Sequence, residues 1–458
     1  MDIETLSRLQ FGFTAGFHII FPTLLIGLST FLSFLYWRWL RTNDRVYLET
    51  YTLWLNVMAV VYVVAAISGV GLSAQLDNIF GGFYEKTEAA LLPVRKIELL
   101  FAILLEGGCI GVMLLHCRKE RSYGRFAATL LFNFGIFLTA FFIISRNSWM
   151  NTPAGVEWSN GEVIVLNHWA VLFNPSFPLR YLHMLTAGMM ASAFLVMGLA
   201  AYRYLRKGPD AVALKSLKLG LTAAFLFSIV QFIVGDLHGH DVLSHQPMKV
   251  AAMEGQWETE RGAAFKVFAV PDPQNEQNLY VLEIPKALSL LLTFDPNGEI
   301  QGLKEIAPEE RPNVGIVFYS FRIMIAMALL MLITAIAGVW LKRRNKLESS
   351  KWFLRTAMIM TPSGLIAVIA GWVVAEVGRQ PWTVYGVVKT AHTITARSHD
   401  QLLASMTIFG VTYLILSIAT IVLLRFILLR DKPLVLDFRL PWTSGGAVRK
   451  RRGGEQIA

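Results

Sequence analysis

Residues Ala370-Gly371-Trp372-Val373-Val374-Ala375-Glu376 end a long apolar segment that runs from residue 353 to residue 375. The next residues, Val377-Gly378-Arg379-Gln380-Pro381-Trp382, bring a positive charge and a proline break. About 20 apolar residues suffice for a helix to cross the hydrocarbon core of a bilayer. The sequence therefore predicts a membrane-spanning helix that ends in a carboxylate. Such a group is by default a functional candidate, with an interfacial charge that reaches water as the alternative.

Eight further segments share this apolar character, and together they indicate the fold class. Hydrophobic residues make up 54% of the chain and charged residues only 16%. The segments do not alternate polar and apolar residues as the strands of a membrane barrel do, so each crossing must be helical. The sequence predicts an all-α, polytopic membrane protein with nine transmembrane helices. Their expected ranges are 12–37, 53–74, 92–116, 126–145, 181–202, 217–236, 314–341, 353–375 and 401–429.

The basic residues predict how these helices are oriented. Lys and Arg cluster after the first, third, fifth and seventh segments and again in the C-terminal tail, whereas the even-numbered connections are poorer in them for their length. Cytoplasmic loops carry such an excess of positive charge. We therefore expect the N-terminus outside and the C-terminus in the cytoplasm. The net charge of +10 follows from this distribution and does not indicate a nucleic-acid partner.

Outside the helices, the chain has one long connection and one basic tail. Residues 237–313 separate the sixth and seventh helices and lie outside in the predicted orientation. Segment 246–257 is expected to be helical, and Pro271-Asp272-Pro273 is expected to form a turn. Loops of this length are commonly functional. We therefore predict one transmembrane domain, 1–443, that contains this loop, followed by a disordered tail, 444–458.

Side chains that can bind a metal concentrate toward one end of the predicted helices. His18 lies in the outer half of helix 1, His183 opens helix 5, and Met324 follows the start of helix 7. A single membrane histidine is as often a packing residue as a ligand, and methionine is usually a core filler. At matched depth, however, a histidine and a methionine can together bind haem iron. Glu376 ends helix 8 on the same outer side.

Helix 3 carries two carboxylates, Glu98 and Glu106. In a regular α-helix, eight residues separate them by about 12 Å along the axis and about 80° around it. Glu98 then lies near the outer candidates and Glu106 near the bilayer centre. Carboxylates at such depth are costly unless they are neutral or hydrated. We interpret the pair as a proton relay toward a buried site, with a structural hydrogen bond as the alternative.

In order and spacing, these residues resemble subunit I of the cytochrome bd-type quinol oxidases over nearly the whole chain. The nine spans and outer N-terminus of that family agree with those predicted from hydropathy and charge. Besides the residues above, the resemblance rests on Ser7-Arg8-Leu9-Gln10-Phe11, Asn147-Ser148-Trp149-Met150-Asn151-Thr152-Pro153, Gly235-Asp236, the segment from Lys249 to Glu254 with Trp257, Phe321-Arg322-Ile323-Met324 and Gly378-Arg379-Gln380-Pro381-Trp382.

The resemblance implies three haems. His183 and Met324 match the axial ligands of a low-spin haem b. His18 and Glu376 match the ligands of two further haems, one a high-spin haem b and the other haem d or a third b-type haem, without fixing which residue binds which. The surrounding residues implied by the resemblance are Arg322, beside the low-spin haem, and Arg379 with Trp372, around the haem pair.

The resemblance also implies a reaction and its partners. Glu98 and Glu106 match the carboxylates beside the oxygen site and its proton path, and Lys249 and Glu254 match the quinol-binding positions. Such a quinol:oxygen oxidoreductase oxidises quinol at the outer face. It reduces O₂ to water with cytoplasmic protons and so separates charge without pumping. A second membrane subunit, and in some members a small single-span subunit, would accompany the chain in the bacterial cytoplasmic membrane.

Two features set this chain apart from other members. The outer loop lacks the extra segment that some members have between Leu303 and Pro312. Residues 235–247 resemble the cyanide-insensitive branch, in which a b-type haem can replace haem d. His238, His240 and His245 lie close together in the sequence, but in an exposed loop we do not expect them to form a metal site.

Other membrane protein classes agree less well with the sequence. A bis-histidine cytochrome b needs paired histidines on single helices, and a haem–copper oxidase needs a histidine cluster. The predicted spans contain neither. A secondary transporter would use Glu98, Glu106 and Glu376 as coupling sites. Glycine-broken half-helices at the membrane midplane would favour it, and only Gly107-Gly108 approaches that pattern.

Overall fold

The chain forms a bundle of long helices in a computed structural model that describes residues 2–115, 121–159, 162–395 and 397–431. Within these residues, nine helical segments are long and apolar enough to cross a membrane, which confirms the predicted fold class. The predicted tail, 444–458, lies outside them. The helices are α1 (Ile3–Thr42), α2 (Arg45–Ile79), α3 (Gly81–Leu100), which continues through a π-helical turn (Phe101–Glu106) into α4 (Gly107–Leu114), α5 (Tyr123–Asn151), α6 (His168–Leu172), α7 (Phe177–Lys207), α8 (Ala211–His245), α9 (Pro247–Glu254), α10 (Ala287–Thr293), α11 (Val314–Arg343), α12 (Lys351–Ile359), α13 (Ser363–Val377) and α14 (His399–Leu429).

Several helices differ in extent from the apolar segments that predicted them. Helix α8 continues to His245, so residues 237–245, which the sequence assigned to the loop, are helical. Helix α7 begins at Phe177, which places His183 inside the helix rather than at its start. The eighth predicted helix is divided at Pro362 into α12 and α13, because proline cannot continue the backbone hydrogen bonding. Hydropathy marks only the part of a helix that lies in lipid.

The connections contain short antiparallel sheets, which the all-α prediction did not include. The β4–β5 turn covers residues 273–276, so Pro271 and Asp272, which were predicted to lie in the turn, end strand β4 instead. Helix α9 falls within the predicted helical segment 246–257. In the described part of the chain the strands are β1 (Val156–Ser159), β2 (Glu162–Val165), β3 (Glu260–Arg261), β4 (Phe265–Asp272), β5 (Gln277–Ile284), β6 (Glu299–Ile300), β7 (Trp382–Val384) and β8 (Val388–Lys389), and they pair as β1–β2, β3–β6, β4–β5 and β7–β8.

The bundle is held together by close helix contacts and by satisfied polar groups. A Cβ atom at Gly27 of α1 would lie 2.3 Å from the Cβ of Ser192 on α7, so only glycine permits this approach. Small residues commonly mediate helix packing in membranes. The indole N–H of the buried Trp54 donates to Ser216 Oγ at 2.9 Å, which satisfies its polar group inside the bundle. These contacts join α1 to α7 and α2 to α8.

Candidate functional site

The end of helix α5 contacts two of the carboxylates singled out from the sequence. Arg146 Nη2 lies 2.7 Å from Glu98 Oε2 and forms an ion pair with it. The next residue, Asn147, donates through Nδ2 to Glu376 Oε1 at 2.7 Å. Adjacent residues of one helix therefore hold the candidate carboxylates of α3 and α13.

The same helix end also binds Lys249. Its Nζ donates to Asn151 Oδ1 at 2.8 Å and to the backbone carbonyl of Ala375 at 3.1 Å, next to Glu376. Lys249 is only 3% exposed, and a Cβ at Gly378 would lie 2.9 Å from its Cγ. Burial lowers the pKa of Lys249 well below its usual value. Although Lys249 belongs to the outer loop, its ammonium group thus lies at the Glu376 site rather than in solvent.

Glu98 and Glu106 face the same helix. Thr139 Oγ1 donates to Glu106 Oε1 at 2.5 Å, and Arg146 pairs with Glu98. Thr139 and Arg146 are seven residues apart, nearly two turns, and so share one face of α5. The predicted offset of about 80° between the carboxylates is therefore wrong. The π-helical turn Phe101–Glu106 contains about one extra residue, which turns the following residues back by about 100°.

The two carboxylates differ in what compensates their charge. Glu98 has a full cation as its partner, whereas the buried Glu106 has a single hydroxyl donor, Thr139, among the described residues. A Cβ at Gly135 would lie 2.9 Å from Glu106 Cγ, so this glycine makes the room that Glu106 occupies. π-Helical turns are frequent at functional sites. The two carboxylates thus lie in different electrostatic environments along one face of α5.

His18 has its ring orientation and tautomer fixed by Ser68. The Ser68 hydroxyl donates to the Val64 carbonyl at 2.7 Å, so its oxygen accepts a hydrogen bond from His18 Nδ1 at 2.9 Å. With Nδ1 protonated, Nε2 keeps its lone pair. A second hydrogen bond of this kind is typical of metal-binding histidines. A Cβ at Gly69 would lie 3.2 Å from His18 Cε1, so α2 fits closely against the ring.

His183 and Met324 lie on two different helix pairs. His183 on α7 packs against Gly235 of α8, where a Cβ would lie 3.5 Å from its Cε1. The Gln231 Nε2 atom lies 3.2 Å from His183 Nδ1. On α11, the Met324 sulfur lies 3.0 Å from the position of a Cβ at Gly371 of α13. Met324 thus occupies space that Gly371 leaves free, whereas His183 is in ordinary van der Waals contact with Gly235.

Glu376 and Arg379 form an ion pair at the end of α13, next to the half-buried Trp372. The Arg379 guanidinium is buried and also donates to the Thr383 carbonyl. Asn147 donates to one carboxylate oxygen of Glu376, and Arg379 donates to the other. Each carboxylate oxygen has a further lone pair, so Glu376 can still act as a ligand.

Arg322 binds groups of the outer loop. It donates to Glu254 Oε2 at 2.7 Å and to the carbonyl oxygens of Lys266 and Met253. Glu254 is 4% exposed. Burial raises the pKa of Glu254, and Arg322 opposes this rise. Glu254 and Lys249 therefore have different partners, Arg322 for Glu254 and the Asn151 and Ala375 groups for Lys249.

Comparison with known proteins identifies the family. A sequence profile described as "Cytochrome bd terminal oxidase subunit I" matches residues 6–432. The chain belongs to this family.

Individual relatives of this oxidase subunit are similar over nearly their full lengths. The chain is 29% identical to "Cytochrome bd ubiquinol oxidase subunit 1" of Bacillus subtilis (strain 168), over 94% of both chains. It is 25% identical to "Cytochrome bd-II ubiquinol oxidase subunit 1" of Escherichia coli (strain K12), over 93% of this chain and 96% of the relative. The solved bd oxidase from Geobacillus thermodenitrificans matches with a TM-score of 0.86 at 29% identity, over 93% of this chain and 98% of that one.

Subunits I of this family contain haem, and the candidate ligands fit such a group. His18 presents an unprotonated Nε2 because Ser68 fixes its tautomer. Met324 has its sulfur in the space left by Gly371, and Glu376 keeps free lone pairs. Imidazole, thioether and carboxylate groups are all iron ligands of the required kind.

The partners that position these residues are not evident from the sequence. Ser68, Thr139 and Asn151 are ordinary polar residues whose roles depend on the neighbouring helix. Asn147 and Asn151 lie in a motif that carried the resemblance but received no role. Arg146 alone carried a detectable signal, because an arginine at the end of an apolar segment is a functional candidate.

Proposed function

We propose that this chain is the haem-binding subunit of a quinol:oxygen oxidoreductase, with ubiquinol or menaquinol as the electron donor. The observation that carries the proposal is the family match over residues 6–432. The names of the similar proteins support a quinol donor, since they include a ubiquinol oxidase and a "Putative cytochrome bd menaquinol oxidase subunit I", both of Bacillus subtilis (strain 168).

The proposed haem ligands are His183 with Met324 for a low-spin haem b, and His18 and Glu376 for a high-spin haem b and a haem d or third b-type haem. When bound, haems supply electron transfer and a place for O₂. Ser68 fixes the tautomer of His18, and Asn147 with Arg379 orients Glu376. Trp372 would cover the haem pair.

Glu254 is the proposed base for quinol oxidation at the outer face. It is buried beside Arg322, which favours the ionised carboxylate against the effect of burial on its pKa. An ionised, desolvated carboxylate accepts a proton from a hydroxyl readily. Lys249 lies on the other side of α9 and binds Asn151 and Ala375. The charge of Lys249 would act on both a quinol in the loop and Glu376. Lys249 would not bind the quinol oxygen that Glu254 deprotonates.

Glu106 and Glu98 are the proposed carriers of protons drawn from the cytoplasm. Glu106 lies deeper, with Thr139 as its donor, and Glu98 lies about 12 Å further out beside Arg146. A proton passed from Glu106 to Glu98 needs water between them as a carrier, because the two carboxyl groups do not touch. Quinol protons released outside and substrate protons taken from inside together separate charge without a pump.

The proposed assembly follows from the family. A second transmembrane subunit, and in some assemblies a small single-span subunit, would join the 1–443 domain in the bacterial cytoplasmic membrane, with the N-terminus outside. Segment 235–247 and the short outer loop support assignment to the cyanide-insensitive branch. Arg322 would both bind the outer loop and balance the charge of the low-spin haem.

A reduced-minus-oxidised absorbance spectrum of the purified complex tests this proposal. We expect a low-spin b-type signal together with high-spin signals, and haem extraction then separates haem b from haem d. Met324→Leu should keep the fold, since the two side chains are close in volume, but remove the low-spin signal. A spectrum without haem absorbance would contradict the oxidase and favour a transporter. An unchanged low-spin signal in Met324→Leu would exclude that residue as a ligand.

A further inference from the structure

A cavity of about 260 Å³ with both polar and apolar lining residues lies between the predicted outer ends of α1, α2 and α14, apart from the candidate ligands and carboxylates. Arg397 contacts Asn78 at its rim. The polar residues that line it come from all three helices and from the segment before α14: Gln10, Gln75, Asn78, Arg397, Gln401 and Ser405.

Two glutamines in the cavity wall are buried with unused hydrogen-bonding atoms. Gln10 donates to Ser405 Oγ at 2.6 Å, but its Oε1 has no partner among the described residues. Gln75 accepts from Thr14 Oγ1 at 2.8 Å, while its Nε2 likewise has none among them. The two residues are 1% and 2% exposed. Leaving a buried polar atom unpaired costs about 1–3 kcal/mol, so this cavity offers one acceptor and one donor that require a ligand.

Water fits these groups better than an apolar ligand. A single water needs roughly 10–15 Å³ and two to four polar partners. The cavity is much larger than that and provides amide, hydroxyl and guanidinium groups around its wall. A chain of waters could therefore satisfy Gln10 and Gln75 and continue to the surface at Asn78.

Aromatic rings follow the cavity on its inner side. Phe409 of α14 lines the cavity, and the Tyr413 ring lies 5.8 Å from the Phe409 ring, centroid to centroid. Tyr413 is buried and stacks on Phe17 of α1, with ring centroids 4.0 Å apart and an interplanar angle of 9°. A Cβ at Gly71 of α2 would lie 3.0 Å from Phe409 and 3.3 Å from the Tyr413 hydroxyl. The glycine therefore allows both rings to pack closely against α2.

The closure separates the cavity from the His18 site. Phe17 directly precedes His18 on α1. Ser68, which binds His18, lies seven residues inward of Gln75 on α2, about 10 Å along the helix. Thr14 and Gly71 lie between the two levels. The Phe17–Tyr413 stack thus lies between Phe409 in the cavity wall and the level of His18.

We propose that this cavity is a water-filled vestibule open to the outer surface, and that Tyr413 stacked on Phe17 is the seal between its water and the His18 site. The consequence rests on the proposed function. A continuous water path from outside would supply protons to the oxygen site from the wrong side and cancel the charge separation.

Cysteine accessibility tests the vestibule directly. In the complete complex, with Cys109 and Cys117 replaced by serine, Ser405→Cys and Leu403→Cys are exposed to a charged, membrane-impermeant methanethiosulfonate from the outer side. The two positions differ by about 3 Å in depth, but Leu403 is 43% exposed on the outside of α14 and does not line the cavity. We expect labelling of Ser405→Cys and none of Leu403→Cys. Protection of Ser405→Cys would show that lipid or a subunit fills the cavity, and would overturn the proposal.

The seal is tested by membrane charging in proteoliposomes. Tyr413→Ala should lose most of the quinol-driven membrane potential while O₂ consumption continues, whereas Tyr413→Phe keeps the ring and should charge normally. Leu414→Ala, at a position that is 61% exposed on α14, serves as the control. Haem spectra show whether Tyr413→Ala assembles. If it does not, Tyr413→Val replaces it, and faster proton entry into liposomes that contain this variant than into those with the unmodified complex is the expected result. Full charging by the opened variant would overturn the seal. Absence of O₂ consumption by the unmodified complex would instead contradict the proposed function.

Discussion

Two buried pairs of candidate residues are arranged in opposite ways. Glu98 and Glu106 are eight residues apart on α3 and its π-helical extension, yet both face α5. Lys249 and Glu254 are only five residues apart on α9, yet they contact different parts of the protein. The distance between two residues in the sequence therefore does not show whether they contact the same part of the protein.

The difference indicates two kinds of chemistry. The proposed role of Glu98 and Glu106, aligned along one helix, is to carry protons in turn. The proposed roles of Glu254 and Lys249 lie at two places, one in the loop and one beside Glu376. Substitutions that remove one member of each pair at a time test this distinction.

The largest effect is expected from Glu254→Gln. The amide keeps the shape but cannot accept a proton, so quinol-driven O₂ consumption should fall roughly 10²-fold or more. Consumption supported by an artificial one-electron donor should persist. Glu258→Gln, at an exposed position paired with Lys304, is the matched control. Equal loss of both activities in Glu254→Gln would move the quinol site elsewhere.

Glu106→Gln should stop the proton-coupled step while leaving electron entry intact. We expect normal haem spectra and rapid reduction by quinol, but a turnover that is roughly 10²-fold slower. Stopped-flow absorbance separates the two phases. Glu88→Gln, on the exposed side of α3, controls for the loss of a carboxylate. Turnover and membrane charging at the unmodified rate would show that protons follow another path.

Arg322→Gln should shift the pH dependence of quinol oxidation. Burial raises the pKa of Glu254, and Arg322 opposes the rise, so removing the cation raises that pKa further. The base must be ionised, and activity is lost as the pH falls through its pKa. The acid limb of kcat/KM should therefore move to higher pH. Arg311→Gln, which breaks an ion pair with Glu276 instead, should leave the limb in place. A shift to lower pH would contradict the assignment.

The smallest effect is expected from Thr139→Val, which removes only the hydroxyl donor to Glu106. Loss of one hydrogen bond costs about 1 kcal/mol, which corresponds to roughly a fivefold slower proton step. Single-turnover kinetics measures it. Thr129→Val on the same helix removes a contact to Tyr51 and should not slow that step. Equal slowing in both variants would indicate a general packing effect.

The family resemblance named every candidate ligand but not the residues that hold them. Hydropathy predicted nine spans because transfer into lipid depends mainly on composition over about 20 residues. The π-helical turn at Phe101–Glu106 left no trace in the apolar pattern, so the relative direction of the two carboxylates was mispredicted. Helix ends were also misplaced, because α8 continues in polar sequence to His245.

The sequence by itself determined the helical fold class, since lipid permits few backbone arrangements, and its motifs pointed to the family. The tertiary structure alone decided which polar groups meet: Arg146 with Glu98, Asn147 with Glu376, and Asn151 with Lys249. Each of these contacts joins elements far apart in the chain. Their geometry depends on how α5 packs against α3, α9 and α13, and no local pattern of residues encodes that packing.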